Sequence, residues 1–467
     1  MNNYFKLKEN GTSVRTEVVA GFTTFFTMAY IIFVNPAILS KAGMDFNSVL
    51  LATCLSAGVG TLLIGLLSNY PFAQAPGMGL NAFFTFTVVL NMGYTWQQAL
   101  AAVFISGVVF IILTITGLRK TIVESVPALI RHSIPAGIGL FIAFIGLNNA
   151  GIVKVNQGPI VDILLQNEPL VREQLIEQVT KAPPQVLEFG SFTNPDVLLA
   201  ITGLAITAVL MLLQVRAALF AGIVLTVLLG IPMGVTSFPE QWFNYDLSLA
   251  PTFLQLDFAG LFATTGDENS VLQLVFTVVT IVISFTLVDL FDTMGTLVGT
   301  ASKGGFLDKN GRLPRMNRAL MADALATTTG ALLGTSSVTT YIESGSGIVA
   351  GGRTVLTAVV VAVLFFLSVF LAPFAAVIPA AATSPALIIV GILMLGSLKN
   401  IDLNNFEDAL PAFMIVAIMP FSYSIANGIA AGLIFFTLAR LVTGRYREIH
   451  PAVFIITLLF IVRFVLV

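Results

Sequence analysis

SFTLVDLFDTMGTLVGTASK, residues 284–303, decides how the rest of the chain is read. It closes a long apolar run that starts near Val271. Asp289 and Asp292 stand three residues apart within it, so on a helix they share one face. Gly295, Thr296 and Gly299 continue that face as a polar stripe of low bulk. An Asp at mid-membrane costs about 2.5–3.5 kcal/mol, and a pair costs roughly twice that. Either the two acids make buried polar contacts between helices, or they line a solute or ion site facing a wet cavity. The second reading is adopted here.

That the run lies in a membrane follows from composition. Only 10% of the 467 residues are charged and 57% are hydrophobic, against about 25% charged in a soluble domain. The chain is therefore read as an all-α polytopic membrane protein. A net charge of −2 leaves no footprint for nucleic acid. The lone cysteine, Cys54, sits in an apolar run, which excludes disulfides and cysteine metal sites. His132 and His450 are too far apart in sequence to read as a ligand pair, so neither metal nor cofactor is expected. The N-terminus, MNNYFKLKENGTSVRTE, is polar and does not read as a signal peptide.

Apolar stretches of helical length fall at 18–39, 48–67, 97–117, 134–153, 196–214, 217–236, 271–300, 316–334, 353–372, 380–398, 409–425 and 427–443. Two others, 70–90 and 335–352, are too broken for ordinary spans and too apolar for loops. Counting each as one crossing gives fourteen. Lys6, Lys8 and Arg15 put the N-terminus in the cytoplasm. Fourteen crossings then place Arg119/Lys120, Lys303 to Arg318, and Arg440/Arg445/Arg447 on the same side. The long connections 154–195 and 237–270 fall outside, the second carrying Glu240, Asp246, Asp257, Asp267 and Glu268 and no basic residue. Dropping the crossing at 70–90 would move Arg119 and Lys120 outside. The apolar tail after Pro451 is short for a span and reads as lying at the interface or on the bundle; a fifteenth crossing is the alternative.

The two halves echo each other. LSKAGMD at 39–45 resembles ASKGGFLD at 301–308, and SIPAGIGLFIAFIGLNN at 133–149 resembles SPALIIVGILMLGSLKN at 384–400. APGMGLN at 75–81 resembles ESGSGIV at 343–349, aligning Gly77 and Gly79 with Gly345 and Gly347. The offsets are about 262, 250 and 268 residues, in one order. Seven crossings per half is odd, so the second copy is inverted, giving 7+7 inverted repeats. The broken segments, third and tenth, become repeat partners. Pro71 and Pro76 cannot sit inside an unbroken helix, and the partner is rich in Ser, Thr and β-branched residues and then in Gly. Each reads as a short strand plus a half-helix. Such backbone survives at membrane depth where it lines a cavity or is buried in protein, and matched interruptions mark a transporter's binding site.

Glu343 falls at the strand-to-helix junction of the second, at the positive end of a half-helix. Ser344, Gly345, Ser346 and Gly347 let backbone N–H groups approach a solute closely. A helix cap is the plainer role for Glu343. Asn81 follows Gly77-Met78-Gly79-Leu80 in the first, and its amide both donates and accepts; an interhelical hydrogen bond is its plainer role. Lys and Arg are absent from both broken segments and from 271–302. That argues against a purely anionic substrate and suits a flat neutral heterocycle with N–H donors and carbonyl acceptors.

These motifs carry a resemblance over nearly the whole chain. TTFFTMAYIIFVNPAILSKAGM at 23–44, GMGLNAFF at 77–84, LVDLFDTMGTLVGTASKGG at 287–305 and YIESGSGIVAGGRTVLTAVVVAVLFF at 341–366 resemble the azaguanine-type purine permeases. Those are a branch of the nucleobase–cation symporter-2, or nucleobase–ascorbate transporter, superfamily. The resemblance implies helices 1–4 and 8–11 as a core and 5–7 and 12–14 as a gate. On that scheme 1–153 holds core helices 1–4 and the first gate helix, and 196–236 gate helices 6 and 7. Residues 154–195 and 237–270 are extracellular loops. Residues 271–372 hold core helices 8–11, 373–443 gate helices 12–14, and 444–467 a cytoplasmic-side tail. It further implies a plasma-membrane homodimer importing hypoxanthine, guanine or adenine with protons, and no enzyme activity. By motif, Gly79 and Asn81 belong to the third crossing, Asp292 and Asp289 to the eighth, and Glu343 to the tenth. Asp292 takes the acid's place in the superfamily pattern F-[ED]-[ST]-x-G. Glu343 takes the place of the Gln or Glu opening its tenth-helix signature, which here continues Ser-Gly-Ser-Gly rather than Asn-x-Gly. Substrate binding thus falls to Asn81, Asp292, Glu343, Gly79 and residues 344–347, and proton coupling to Asp289, Asp292 and Glu343.

Other readings compete. A sodium-coupled nucleobase or small-anion carrier on the same fold would use Thr339, Thr340, Ser344 and Ser346 as ligands. An intramembrane aspartyl protease would need a second acid opposed to Asp292; the only near candidate, Asp323, reads as sitting beside the basic cytoplasmic loop. A purely structural scaffold leaves two repeat-related interruptions without a reason.

Overall fold

The structure is a computed structural model that describes residues 5–117, 125–155, 187–236, 248–263, 271–309, 312–375 and 377–466. Arg119, Lys120, Glu240, Asp246, Asp267, Glu268 and most of the two long connections lie outside the described residues.

The described residues form fourteen successive segments, eight of which contain a helix long and apolar enough to cross a membrane. Segments 1 and 2 are Val14–Ala42 and Phe46–Ser68; 4 and 5 are Trp96–Ile115 and Ala128–Asn149; 6 and 7 are Pro195–Leu212 and Ala218–Gly230. Segments 8 and 9 are Val271–Gly304 and Met316–Leu333, and 11 and 12 are Val355–Leu371 and Ala380–Asn400. Segments 13 and 14 are Phe406–Phe421 and Ile425–Val442. Side-chain oxygens open many of them: Ser13, Asp45, Thr95, Asn194, Asn405 and Ser424 each accept a first-turn N–H.

Segments 3 and 10 are the two interruptions. Strand β1 (Gln74–Pro76) runs into a half-helix (Met78–Ala82) that continues in wide turns to Asn91. A separate antiparallel pair, β2 (Val153–Val155) with β3 (Leu187–Phe189), lies at the edge of the first long connection. Strand β4 (Val338–Thr340) precedes the half-helix Ser344–Val349. β1 and β4 pair antiparallel about Ala75 and Thr339. The pairing gives each strand the hydrogen-bond partners that lipid cannot supply. It also corrects the repeat alignment. Ala75 faces Thr339, and the half-helices start at Met78 and Ser344. Gly77 alone joins β1 to its half-helix, whereas Tyr341, Ile342 and Glu343 join β4 to its own. The equivalences therefore sit a few residues short of the Gly77–Gly345 match.

Packing divides the segments into two groups. Segments 2 and 4 each pack on 9, with 11 against 1 and 2; segment 5 packs on 12 and 13, and 6 on 7 and 12. Gly139 and Gly391 let segments 5 and 12 approach backbone to backbone, since a Cβ on Gly139 would meet Gly391 O at 2.7 Å. The tail helix, Pro451–Leu466, folds onto segments 8 and 14, with Thr457 bonded to Thr437 at 3.2 Å. It therefore packs on the bundle.

Segment 1 is not one smooth helix. Pro36 withdraws the donor that Ile32 O would use. The turn before it tightens, with Ile32 N on Ala29 O at 3.2 Å and Phe33 N on Tyr30 O at 3.1 Å. That break puts Tyr30 opposite segment 10.

Candidate functional site

The site forms where β1 and β4 cross and segments 1, 8 and 9 close around them. Four backbone and side-chain ties lock the two interruptions together. Gly77 N donates to Ser337 O at 2.9 Å, and Tyr341 N to Ala73 O at 2.9 Å. Tyr341 Oη donates to Pro76 O at 2.6 Å, and Ala73 N to Ser344 Oγ at 3.0 Å.

The acids sort into three environments. Asp289 is fully buried, 3.3 Å from Thr293 Oγ1 and 3.2 Å from Thr327 Oγ1. Asp323, also fully buried, accepts from Thr293 Oγ1 at 2.8 Å and Gln74 Nε2 at 3.2 Å. This corrects the placement of Asp323 beside the basic loop. It stands five residues past Arg318 in sequence, but the helix carries it inward onto Thr293 and the strand pair. Gln74 thus joins the first interruption to segment 9, and Thr293 joins the two acids.

Asp292 and Glu343 are different: both keep partial solvent access and stand within electrostatic reach of each other. Asp292 lies beside Thr339, which paired β4 holds toward segment 8. Glu343 sits at the start of its half-helix, yet its carboxylate makes no capping bond. It accepts instead from Tyr30 Oη at 2.8 Å. The side chain is therefore held toward the space between segments 1, 8 and 10.

Asn81 is fully buried. Ser336 Oγ donates to its Oδ1, while its Nδ2 has no protein partner. The hydroxyls of Thr24, Ser284 and Ser337 are likewise buried without one. Since buried polar groups are normally bonded, these are the donors and acceptors that the fold leaves for something else. The glycines divide. A Cβ on Gly79 would meet Ile138 Cγ2 at 2.7 Å, and one on Gly347 would meet Ala20 O at 2.7 Å, so both positions also serve close helix crossing. Gly345 faces Thr300 and the Lys303 ammonium, and Ser346 keeps partial access.

A further buried acid, Glu17, belongs elsewhere. It accepts from Arg353 N at 2.9 Å and Thr357 Oγ1 at 2.6 Å, capping the start of segment 11. Glu17 precedes the first apolar run, so sequence gave no sign of its burial. Tyr30 was hidden in an apolar run, where an aromatic ring reads as packing.

Comparison with known proteins adds to this geometry. The Permease family matches residues 15–172 and 184–431. The chain is 46% identical to the putative permease MJ0326 of Methanocaldococcus jannaschii, covering 100% of this chain and 98% of that one. It is 42% identical to the adenine permease AdeP of Escherichia coli, covering 100% and 96%. The guanine/hypoxanthine permease PbuO of Bacillus subtilis is also 42% identical, with 98% and 99% covered. Among solved structures, the transmembrane domain of a cyanobacterium bicarbonate transporter, BicA, superposes with a TM-score of 0.61 at 17% identity, over 88% of this chain and 97% of that one. At that identity the likeness shows the fold.

Proposed function

Because the chain belongs to the Permease family, a family of membrane transporters and not enzymes, we propose that it imports purine nucleobases by proton symport with alternating access. The candidates are hypoxanthine, guanine and adenine. The observation that carries this reading is the pair of partly exposed acids, Asp292 and Glu343, at the meeting of two interrupted crossings. Relatives named for adenine and for guanine/hypoxanthine, at 42% identity over the full chain, supply the substrate class.

A purine lies between segments 1, 3, 8 and 10. Glu343, oriented by Tyr30, accepts from a ring N–H on the pyrimidine side. Asn81 and Asp292 meet the other edge or each other, the free Asn81 Nδ2 donating to a ring acceptor. N–H groups of residues 344–347 and the close approach at Gly79 complete the contact. The proton travels on Asp292, one of the two partly exposed acids, with Asp289 behind it and Glu343 beside it. Segments 1–4 and 8–11 then move against 5–7 and 12–14. Lys6, Lys8, Arg15, Lys303, Arg312, Arg315, Arg318, Arg440, Arg445 and Arg447 support a cytoplasmic N-terminus in the cell membrane. A homodimer is part of the same reading.

The test is labelled hypoxanthine uptake by cells expressing the chain, chased with unlabelled purines and uracil. Guanine or adenine should compete and uracil should not. Equal competition by uracil would overturn the purine assignment, and uptake that needs Na⁺ but no pH gradient would overturn the proton.

A further inference from the structure

Arg216 sits in the short turn between segments 6 and 7, where a charge has little company. Its neighbours Leu212 and Leu213 are 83% and 70% exposed, so lipid and not water is their natural surrounding. Among the described residues Arg216 has no ion pair and no hydrogen bond. Beside it opens a groove of about 340 Å³, lined by Val19, Phe22, Thr23, Phe26, Arg216 and Ala217. Thr23 spends its hydroxyl on Val19 O at 2.8 Å, so Arg216 is the groove's one polar contributor. Phe220 of segment 7 packs on the same face of segment 1, its ring 5.9 Å from Phe26 and 6.3 Å from Phe33. At the outer end Arg15 stands one turn before Val19 on the same helix face.

An arginine next to an apolar trough, at the membrane surface where segment 1 begins, matches one ligand chemistry. We propose that this groove binds an anionic phospholipid. Its phosphate pairs with Arg216, with Arg15 adding attraction, and an acyl chain lies along Val19, Phe22 and Phe26. The guanidinium forms bidentate bonds to phosphate. A second copy of the chain fits poorly, because a twofold contact through this patch would bring the two Arg216 side chains together. A soluble acidic partner would leave the exposed leucines uncovered. The groove lies between segment 1 and the turn joining segments 6 and 7, so its lipid touches both packing groups at once.

The experiment is native mass spectrometry of the purified full chain, titrated with phosphatidylglycerol or phosphatidylcholine, with melting temperature read in parallel. A surface arginine contributes about 1 kcal/mol toward anionic lipid, or roughly fivefold in affinity. Wild type should prefer phosphatidylglycerol by about that factor and gain melting temperature from it. Arg216→Gln should lose the preference, Arg216→Lys should keep most of it, and Arg447→Gln, an exposed arginine elsewhere, should behave as wild type. Equal binding of both lipids by wild type, or an unchanged preference in Arg216→Gln, would overturn the proposal. Neither result depends on which solute is carried.

Discussion

The two interrupted crossings share a backbone plan and differ in almost everything hung on it. In the first, every residue from Pro71 to Val88 is buried, and the polar groups are neutral amides and hydroxyls. Gln74 spends its Nε2 on Asp323 and Thr340, and Asn81 its Oδ1 on Ser336; each amide's other atom has no protein partner. In the second, the strand is as buried as its partner, but access opens just after it. Ile342 is 59% exposed, Val349 71%, and Glu343 and Ser346 partly so. A repeated fold thus supplied the geometry twice, while charge and access were kept on one copy only. On this account the first interruption shapes the site and the second, with Asp292 opposite, carries its charge.

The comparison breaks first at the acids. Asp292→Asn and Glu343→Gln should each weaken purine binding by roughly tenfold to a hundredfold, since a hydrogen bond to a charged group is worth about 1.5–3 kcal/mol. Radioligand binding to purified protein checks this; losses smaller than those at Asn81 would reverse the division of labour. Next come the crossings. Gly347→Ala sets a Cβ against Ala20 O at 2.7 Å, backbone that cannot step aside, so stability should drop by about 1–3 kcal/mol. Gly79→Ala meets only the Ile138 side chain, and pairing it with Ile138→Val should restore the thermal melting point. A smaller effect is expected at the first interruption's amide. Asn81→Ala removes a neutral hydrogen bond of about 0.5–1.5 kcal/mol, or roughly twofold to tenfold in affinity. The least change belongs to Tyr30→Phe, which frees Glu343 without removing it. A few-fold rise in the substrate concentration for half-maximal uptake is expected, with the maximal rate kept.

The fold was legible in the sequence because membrane chains announce their interruptions. Pro71, Pro76 and the Ser-Gly-Ser-Gly run at 344–347 break long apolar stretches that otherwise read as helix. The charge pattern agreed with a count of fourteen. Half of the candidate site was legible for the same reason, since Asp292 and Glu343 are acids where lipid disfavours them. What stayed hidden was register and direction. Tyr341 to Glu343 lengthen one strand-to-helix turn relative to the other, and a motif match slid over that difference. Asp323 looked peripheral because distance along the chain from Arg318 says nothing of which way a helix points. Tyr30 needed a local tightening ahead of Pro36 before its hydroxyl met Glu343.

The most direct test of the account is accumulation of labelled hypoxanthine in sodium-free proteoliposomes holding the purified chain, with the outside made acidic. Wild type should concentrate the base inside and lose that ability when the pH gradient is collapsed, while Asp292→Asn and Glu343→Gln should concentrate nothing. Accumulation by either variant at the wild-type rate would mean that the partly exposed acids are not the working centre.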